Sequence, residues 1–267
     1  MLTKSLLKIV RLVLGIFGIS IIKSSTAAKY HEASQNSLRF ELIQVLSNKE
    51  NSYQLLKLQE ISRSQLGQDL FVMSRLNFKK NGYFVEFGAA NGIVDSNTFS
   101  LEKEYGWAGI LAEPAEIWQD DLRANRNCNI ETKCLHQTSN LTVPFFEAKD
   151  HGLSGLTSML SIDRYKTQRK KGRAYDVETI SLTDLFLKHN APNHIDYLSI
   201  DTEGSEYLIL KNFDFNKYSF GVITCEHNFS ETREQVNLLL TSKGYVRKHE
   251  AISVFDDWYV NPTFVSS

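Results

Sequence analysis

Apolar residues recur at helical spacing in the first part of the chain. The spacing predicts a helix whose apolar face carries Leu38, Leu42, Val45 and Leu46. After the polar stretch NKEN, a second predicted helix carries Leu55, Leu56 and Leu58. Polar and small residues come before both helices. We therefore expect a linker and a helical extension over residues 24–62.

From residue 64 onward, short apolar runs alternate with amphipathic stretches. The runs predict five strands: YFVEF (83–87), AGILAE (108–113), TKCLH (132–136), IDYLSID (195–201) and FGVITCE (220–226). The stretches between them are long enough for crossover helices at 95–105, 115–127 and 203–212. Apolar strands that alternate with helices indicate an α/β fold with a mostly parallel sheet covered on both faces.

The last part of the chain follows a different pattern. Two runs, GYVRKHE (244–250) and ISVFDDWYV (252–260), are joined by a turn that is too short for a crossover helix. They should therefore pair antiparallel at one edge of the sheet. Residues 138–180 contain a predicted hairpin strand, TVPFFEA, and a basic loop, RYKTQRKKGR, inserted before the fourth strand.

The N-terminal residues 1–23 do not resemble a globular domain. Eleven uncharged residues, LVLGIFGISII, follow Lys4, Lys8 and Arg11. A membrane span needs about 20 apolar residues, so this run is too short to cross a bilayer. We favour a helix that lies on an anionic inner leaflet. A cleaved signal peptide ending near STAAKY and a helix packed on the main domain remain alternatives.

Composition excludes several classes of function. The chain has 267 residues, of which 42% are hydrophobic, so a well-buried domain is expected. Its formal charge of -1 provides no global field for nucleic acid, and we expect no nucleic-acid partner. The three cysteines, Cys128, Cys134 and Cys225, have no metal-binding spacing. We expect a cytoplasmic protein that is peripheral on the inner membrane face.

Chemistry is expected first at the end of the strand 83–87. Gly88 and Gly92 have GxxxG spacing, whereas a pyrophosphate-binding turn has GxGxxG. Glu86 and Asp95 flank this turn and would disfavour an anion but suit a sulfonium or an amino group. At the end of the second strand, Glu113 suits the two hydroxyls of a ribose. Together these features favour S-adenosylmethionine.

Five motifs in sequence order resemble the FkbM-type methyltransferases: SQLGQD (64–69), YFVEFGAANGIVDSNTFSLE (83–102), GWAGILAEP (106–114), VETISLTDLF (177–186) and IDYLSIDTEGSEYLILKNFDF (195–215). The resemblance implies that residues 63–267 form a class I, Rossmann-like methyltransferase domain. Its sheet would have seven mostly parallel strands with an antiparallel C-terminal pair. It also implies S-adenosylmethionine-dependent methylation of an oxygen on a saccharide, glycolipid or natural product.

The resemblance also implies roles for particular residues. The cofactor turn falls on Glu86, Gly88, Ala90 and Gly92, the ribose acid on Glu113, and the fourth-strand signature on Asp201, Glu203 and Gly204. Ser96 and Asn97 follow the turn and are expected to face the cofactor, as is Asp201.

Methyl transfer to a hydroxyl requires alignment and benefits from a base. Asp201 and His227 end neighbouring predicted strands, and we expect them to act as a general base and its orienting partner, with Glu203 nearby. Alternatively, Glu203, Asp201 and Glu226 could bind Mg²⁺. Because no DxD-like spacing requires it, we predict no metal.

The basic stretch before the fourth strand predicts the charge of the acceptor. Its cations are Arg164, Lys166, Arg169, Lys170, Lys171 and Arg173. If they form an acceptor lid, they favour a small-molecule, glycan or lipid-linked acceptor that is phosphorylated or acidic. Two other functions stay open: a nicotinamide-dependent oxidoreductase, and a non-catalytic cofactor-binding or scaffold protein.

Overall fold

The computed structural model describes residues 37–148, 154–159 and 172–264. The chain divides into two compact units, residues 1–41 and 42–267. In the first unit, the described residues 37–41 are helical. The N-terminal segment 1–23 and residues 164–171 of the basic stretch lie outside the described residues, so their roles stay predictions. Within the described ranges, no helix is long and apolar enough to cross a membrane.

The second unit alternates helices and strands along the chain. Residues 42–46 are helical. The helices described after them are α1 (Ser52–Ile61), α2 (Gln68–Arg75), α3 (Phe99–Tyr105), α4 (Glu116–Asn125), α5 (Leu182–Lys188), α6 (Glu206–Leu210) and α7 (Arg233–Ser242). The strands are β1 (Tyr83–Phe87), β2 (Ala108–Ala112), β3 (Asn129–Glu131), β4 (Cys134–Leu135), β5 (Thr142–Ala148), β6 (Gly155–Leu156), β7 (Gly172–Ile180), β8 (His194–Ile200), β9 (Ser219–Glu226), β10 (Val246–Lys248) and β11 (Asp256–Val260).

The main sheet has seven strands in the order β10-β11-β9-β8-β1-β2-β3. Strands β3, β2, β1, β8 and β9 are parallel, and β11 pairs antiparallel with both β9 and β10. This arrangement confirms the predicted α/β, Rossmann-like fold with an antiparallel C-terminal pair. Strand order reverses between β1 and β8, and ligands of such sheets bind at the carboxyl ends of the strands beside that point.

The third strand is not where the sequence predicted it. The run TKCLH was assigned to the main sheet, but β2 pairs with residues 129–131 instead. Cys134 and Leu135 pair with β7 in a second sheet of order β4-β7-β5-β6. The segment NIE has one apolar residue, so periodicity alone did not reveal it as a strand. The predicted TVPFFEA strand is present as β5.

Both faces of the main sheet are covered by apolar residues. One face packs residues such as Phe87, Leu198 and Phe220, and the other packs residues such as Phe84 and Trp258. Leu42, Ile43, Leu46, Leu55 and Leu58 are buried in the second of these clusters. Residues 42–62 are therefore part of the second compact unit. In contrast to the predicted helix faces, Val45 and Leu56 are exposed.

Candidate active site

The turn after β1 brings the backbone of Gly88 against the end of β8. Gly88 has a φ of +74°, and an added Cβ would lie 2.3 Å from the carbonyl oxygen of Asp201. A larger residue at this position would be strained and would also collide with that carbonyl. Two residues later, Ala90 has a φ of +44° and donates its N–H to Glu113 Oε2 at 2.8 Å. The turn is thus fixed against the ends of both neighbouring strands.

Glu113 joins the turns that follow β1 and β2. Its side chain is buried, and its Oε1 accepts the N–H of Ala115 at 2.7 Å. Burial raises the pKa of Glu113 to about 7, although the two backbone N–H groups favour the ionised form. Each oxygen accepts one backbone bond and keeps further acceptor capacity. Glu113 can therefore accept two more hydroxyl donors.

Glu113 faces a small, mostly apolar cavity of about 60 Å³. Its apolar walls come from β4, β5, β6 and α4, and include Trp118, Leu135, Phe145 and Leu156. A flat aromatic ring could stack in such a cavity while a neighbouring sugar reached Glu113. The cavity therefore combines apolar walls with a carboxyl group that can accept hydroxyl donors.

A second cavity of about 300 Å³ lies on the other side of the Gly88 turn. The two cavities share Gly88, Ala90, Asp201 and Glu203 in their walls. The acidic lining of the larger cavity consists of Asp95, Asp201, Glu203, Glu226 and Asp256, and its described lining contains no lysine or arginine. This cavity therefore favours cations and hydroxyl donors over anions.

Asp201 and Glu226 form a carboxyl pair at the wall of the larger cavity. Ser199 of β8 lies opposite Thr224 of β9, so the next residues on the same face are Asp201 and Glu226. Burial raises the pKa of Asp201 to about 6, and a hydrogen bond from Glu226 favours its ionised form. Burial and the Asp201 charge raise the pKa of Glu226 well above its usual value. Glu226 is thus the protonated partner, and Asp201 carries the negative charge.

Asp256 extends this acidic row to the next strand. It lies opposite Glu226 in the β9–β11 register. Its Oδ2 accepts Gln68 Nε2 at 2.8 Å and Trp258 Nε1 at 3.3 Å. Burial raises the pKa of Asp256 to about 7, and the charge of Asp201 adds to the rise. Sequence reading missed Asp256 and Gln68 because 188 positions separate them.

The raised pKa of Asp256 predicts that the difference in stability between Asp256→Asn and the wild type depends on pH. The neutral carboxyl is favoured in the folded state, so the cost of ionising Asp256 begins above its unfolded pKa and is complete above about 7. Asp256→Asn does not carry this cost. We expect the melting temperature of the ligand-free variant, relative to the wild type, to rise by roughly 5 °C between pH 5 and pH 8. The control is Asp120→Asn at an exposed site. If the difference in melting temperature between Asp256→Asn and the wild type stays constant or decreases as the pH rises, the raised pKa of Asp256 is contradicted.

His227 is not the partner of Asp201 that the sequence predicted. His227 follows the last residue of β9, and it is absent from the lining of the larger cavity, which Glu226 lines. His227 Nδ1 accepts the N–H of Phe229 at 2.9 Å, and its Nε2 lies 4.0 Å from Asp257 Oδ1. Burial lowers the pKa of His227. The pair proposed from sequence is therefore corrected to Asp201 and Glu226.

Three residues predicted to bind the cofactor hold the loop that follows the turn. Glu86 accepts the N–H of Asn97 at 2.7 Å and hydroxyl protons from Ser96 and Thr98. Neither Glu86 nor Ser96 lines either cavity. Gly92 is also absent from both linings; a Cβ there would lie 2.7 Å from carbons of Leu122 and Arg126. These three residues lie outside both cavity linings, and their role in binding the cofactor stays a prediction.

A buried arginine anchors the same loop. The Arg126 guanidinium lies 2.7 Å from Glu102 and 3.9 Å from Glu86. It also donates to the Gly92 carbonyl oxygen at 3.1 Å and to Ser96 Oγ at 3.0 Å. Sequence reading missed this role because Arg126 follows a helix and has no motif of its own.

The other predicted site residues line the two cavities. The larger cavity is lined by Gly88, Ala90, Asn97, Asp201 and Glu203, and the smaller one by Glu113. Asn97 Nδ2 donates to Ser199 Oγ at 2.9 Å, and its buried Oδ1 has no partner among the described residues. Carboxylate oxygens of Asp201, Glu203 and Glu226 lie within 4.8 Å of one another, close enough to share a divalent cation.

Arg173 is the one member of the basic stretch within the described residues, and it does not lie in a loop. It belongs to β7 and forms ion pairs with Glu116 at 2.6 Å and Glu147 at 2.8 Å. Its charge is therefore already paired within the protein. The predicted basic loop therefore ends before Arg173, and a role of this residue toward the acceptor stays a prediction.

One family profile matches the chain, and solved structures align with part of it. The profile of the methyltransferase FkbM domain matches residues 86–256. No curated protein sequence matches the chain. The precorrin-6y C5,15-methyltransferase of Geobacter metallireducens GS-15 aligns over 67% of this chain and 71% of its own, with 13% identity and a TM-score of 0.35. A fibrillarin/Nop5p complex aligns over 74% and 79%, with 15% identity and a TM-score of 0.34.

Proposed function

Since the chain belongs to the FkbM methyltransferase family, we propose that it transfers the methyl group of S-adenosylmethionine to a hydroxyl oxygen of a saccharide, a glycolipid or a related natural product. Membership of this family implies S-adenosylmethionine as the methyl donor. The observation that carries the proposal is the position of Asp201. Its carboxylate stands where the nucleoside-like cavity and the acidic cavity meet.

The residues around the Gly88 turn fit this methyl donor. Glu113 has acceptor capacity for two ribose hydroxyls, and the apolar walls of the small cavity suit an adenine ring. Gly88 lines both cavities, and a side chain at this position would collide with the carbonyl oxygen of Asp201. When bound, the donor supplies an electrophilic methyl group on a sulfonium, whose charge suits the carboxylates of the larger cavity.

Asp201 is the candidate general base. An acceptor hydroxyl in the larger cavity could donate its proton to the Asp201 carboxylate as the oxygen forms its bond to the methyl carbon. Glu226 orients Asp201 by hydrogen bonding, and Asn228 Nδ2 holds Glu226 Oε2 at 2.7 Å. Glu203 borders the same space and could accept a second acceptor hydroxyl. The remaining proton on Asp201 would leave to solvent after release of the product.

The negative charge of the larger cavity indicates which class of acceptor it would bind. An acidic acceptor was expected from the basic stretch, of which residues 164–171 lie outside the described ranges. The described lining of the larger cavity contains carboxylates, amides and hydroxyls, which match the hydroxyls of a neutral sugar. We therefore propose a neutral, hydroxyl-rich acceptor group. Phosphorylated saccharides are the alternative acceptor class, and the screen described below compares the two.

We propose base catalysis rather than activation by Mg²⁺. The hydrogen bond from Glu226 favours the ionised form of Asp201, which is the form that can accept the proton of an acceptor hydroxyl. Transfer rates should therefore be equal within error in EDTA and in added Mg²⁺. Loss of activity in EDTA that is restored by Mg²⁺ would assign these carboxylates to a metal instead.

A screen with labelled methyl donor tests the proposed function. The purified chain is incubated with methyl-labelled S-adenosylmethionine and separate fractions of neutral glycans, phosphorylated saccharides, glycolipids, proteins and nucleic acids from the source cell. We expect label in a neutral saccharide or glycolipid fraction. Label confined to protein or nucleic acid would refute the acceptor class.

The N-terminal segment leads to a separate proposal about location. We propose that residues 1–23 bring the enzyme to an anionic membrane surface, because their apolar run follows three cations. Deleting residues 1–23 should abolish sedimentation with anionic liposomes and leave S-adenosylhomocysteine affinity unchanged. Equal sedimentation of the full and shortened chains would contradict this role.

A further inference from the structure

We propose that the side-chain amide of Gln65 binds the α-carboxylate of the methyl donor. This inference rests on the proposed function, and it concerns a residue of the SQLGQD motif that lies N-terminal to the profile match over residues 86–256. It follows from a count of hydrogen-bond donors in the larger cavity and from the rigid segment that carries Gln65.

The methyl donor brings an anion into an acidic space. If its ribose is held by Glu113, its amino-acid end extends past Gly88 into the larger cavity. The ammonium of that end matches the carboxylates of the lining. Its α-carboxylate instead needs N–H or O–H donors, because the described lining contains no lysine or arginine.

Three other amides of this lining already donate one hydrogen bond each to a protein group. Gln68 donates to Asp256, Asn97 donates to Ser199, and Asn228 donates to Glu226. The Thr224 hydroxyl is paired with Tyr197. Gln65 lines the same cavity, and its side chain forms no hydrogen bond with any described residue. Both of its amide N–H groups therefore remain available for a ligand.

The segment around Gln65 is held from both sides. Asp69 accepts the hydroxyls of Ser62 and Ser64 at 2.8 and 2.6 Å. Gln68 Oε1 accepts the N–H of Leu66 at 2.9 Å while its amide nitrogen binds Asp256. Such a network fixes the backbone on each side of Gln65 and reduces the entropy lost when Gln65 binds a ligand.

The backbone also places Gln65 next to the loop that follows the Gly88 turn. Ser64 forms a parallel bridge with Asp95, so Gln65 follows directly from that contact. Asp95 lines the larger cavity as well. An amide donor and a carboxylate acceptor thus both line this cavity, which matches the carboxylate and ammonium on one α-carbon.

The test compares two nucleosides by isothermal titration calorimetry at pH 8. S-adenosylhomocysteine has the α-carboxylate, whereas 5′-methylthioadenosine lacks the whole amino-acid end. Gln65→Met keeps the length of the side chain and removes the amide. We expect it to weaken S-adenosylhomocysteine binding about 10-fold and to change 5′-methylthioadenosine binding less than about 2-fold. Gln65→Glu, which adds a repelling charge, should weaken S-adenosylhomocysteine binding further.

The control is Arg63→Met, an exposed change on the same segment and outside the cavity lining. Equal loss for both nucleosides in Gln65→Met would overturn the inference, because it would indicate a disturbed site. Unchanged binding of both would also overturn it. A wild-type chain that binds neither nucleoside would refute the proposed function itself, together with this inference.

Discussion

Asp201→Asn is expected to lower the rate of methyl transfer by about 10²- to 10⁴-fold, the usual contribution of a positioned base. Asparagine keeps the shape of the side chain and can still accept the hydrogen bond from Glu226, but it cannot take up the acceptor proton. Affinity for S-adenosylhomocysteine should stay within about 5-fold, because Glu113 and Gly88 are unchanged. Transfer rates and calorimetry on the same preparation provide both values.

Two further measurements distinguish a role of Asp201 as general base from a purely structural role. The wild-type rate should fall as the pH drops below about 6, where Asp201 becomes protonated. Asp176→Asn, at an exposed position on β7, should behave like the wild type. Full activity of Asp201→Asn would remove Asp201 from the mechanism and would favour a site that only aligns its substrates.

Glu113→Gln is expected to weaken S-adenosylhomocysteine binding about 100-fold at pH 8. The two carboxylate oxygens accept the N–H groups of Ala90 and Ala115. An amide offers one oxygen, so its NH₂ must face one of these N–H groups. That N–H is left unpaired, and a ribose hydroxyl loses its acceptor.

Binding of S-adenosylhomocysteine and of 5′-methylthioadenosine distinguishes the role of Glu113 from that of Gln65. Glu113→Gln should weaken 5′-methylthioadenosine as much as S-adenosylhomocysteine, because both ligands contain the ribose. Glu104→Gln is the matched control at an exposed helical position. Retained affinity for both nucleosides in Glu113→Gln would show that Glu113 only holds the Gly88 turn.

Sequence reading predicted the parts of the fold that local patterns specify. Strands β1, β2, β8 and β9 are continuous apolar runs, and their bounds agree with the prediction to within one residue. Gly88 and Glu113 follow two of these runs directly, so their positions at the carboxyl edge of the sheet could be predicted. The short strand β3 has no such pattern, because its pairing with β2 determines it.

The residues that sequence reading misplaced are those that depend on distant contacts. Glu86 was expected to face a ligand, but Arg126, 40 positions later, helps to turn it toward the loop 96–98. His227 was predicted as the partner of Asp201 because it ends the neighbouring strand, but the strand register places Glu226 opposite Asp201. Asp256 and Gln68 meet only when the final strand pairs with β9.

The most direct test of the central claim is to locate the transferred methyl group. The labelled product of the wild-type reaction is purified, and nuclear magnetic resonance identifies the atom that carries the ¹³C-methyl. We expect a methyl ether on a saccharide hydroxyl, formed by the wild type and nearly absent with Asp201→Asn. A methyl group on nitrogen or carbon, or equal labelling by Asp201→Asn, would contradict it.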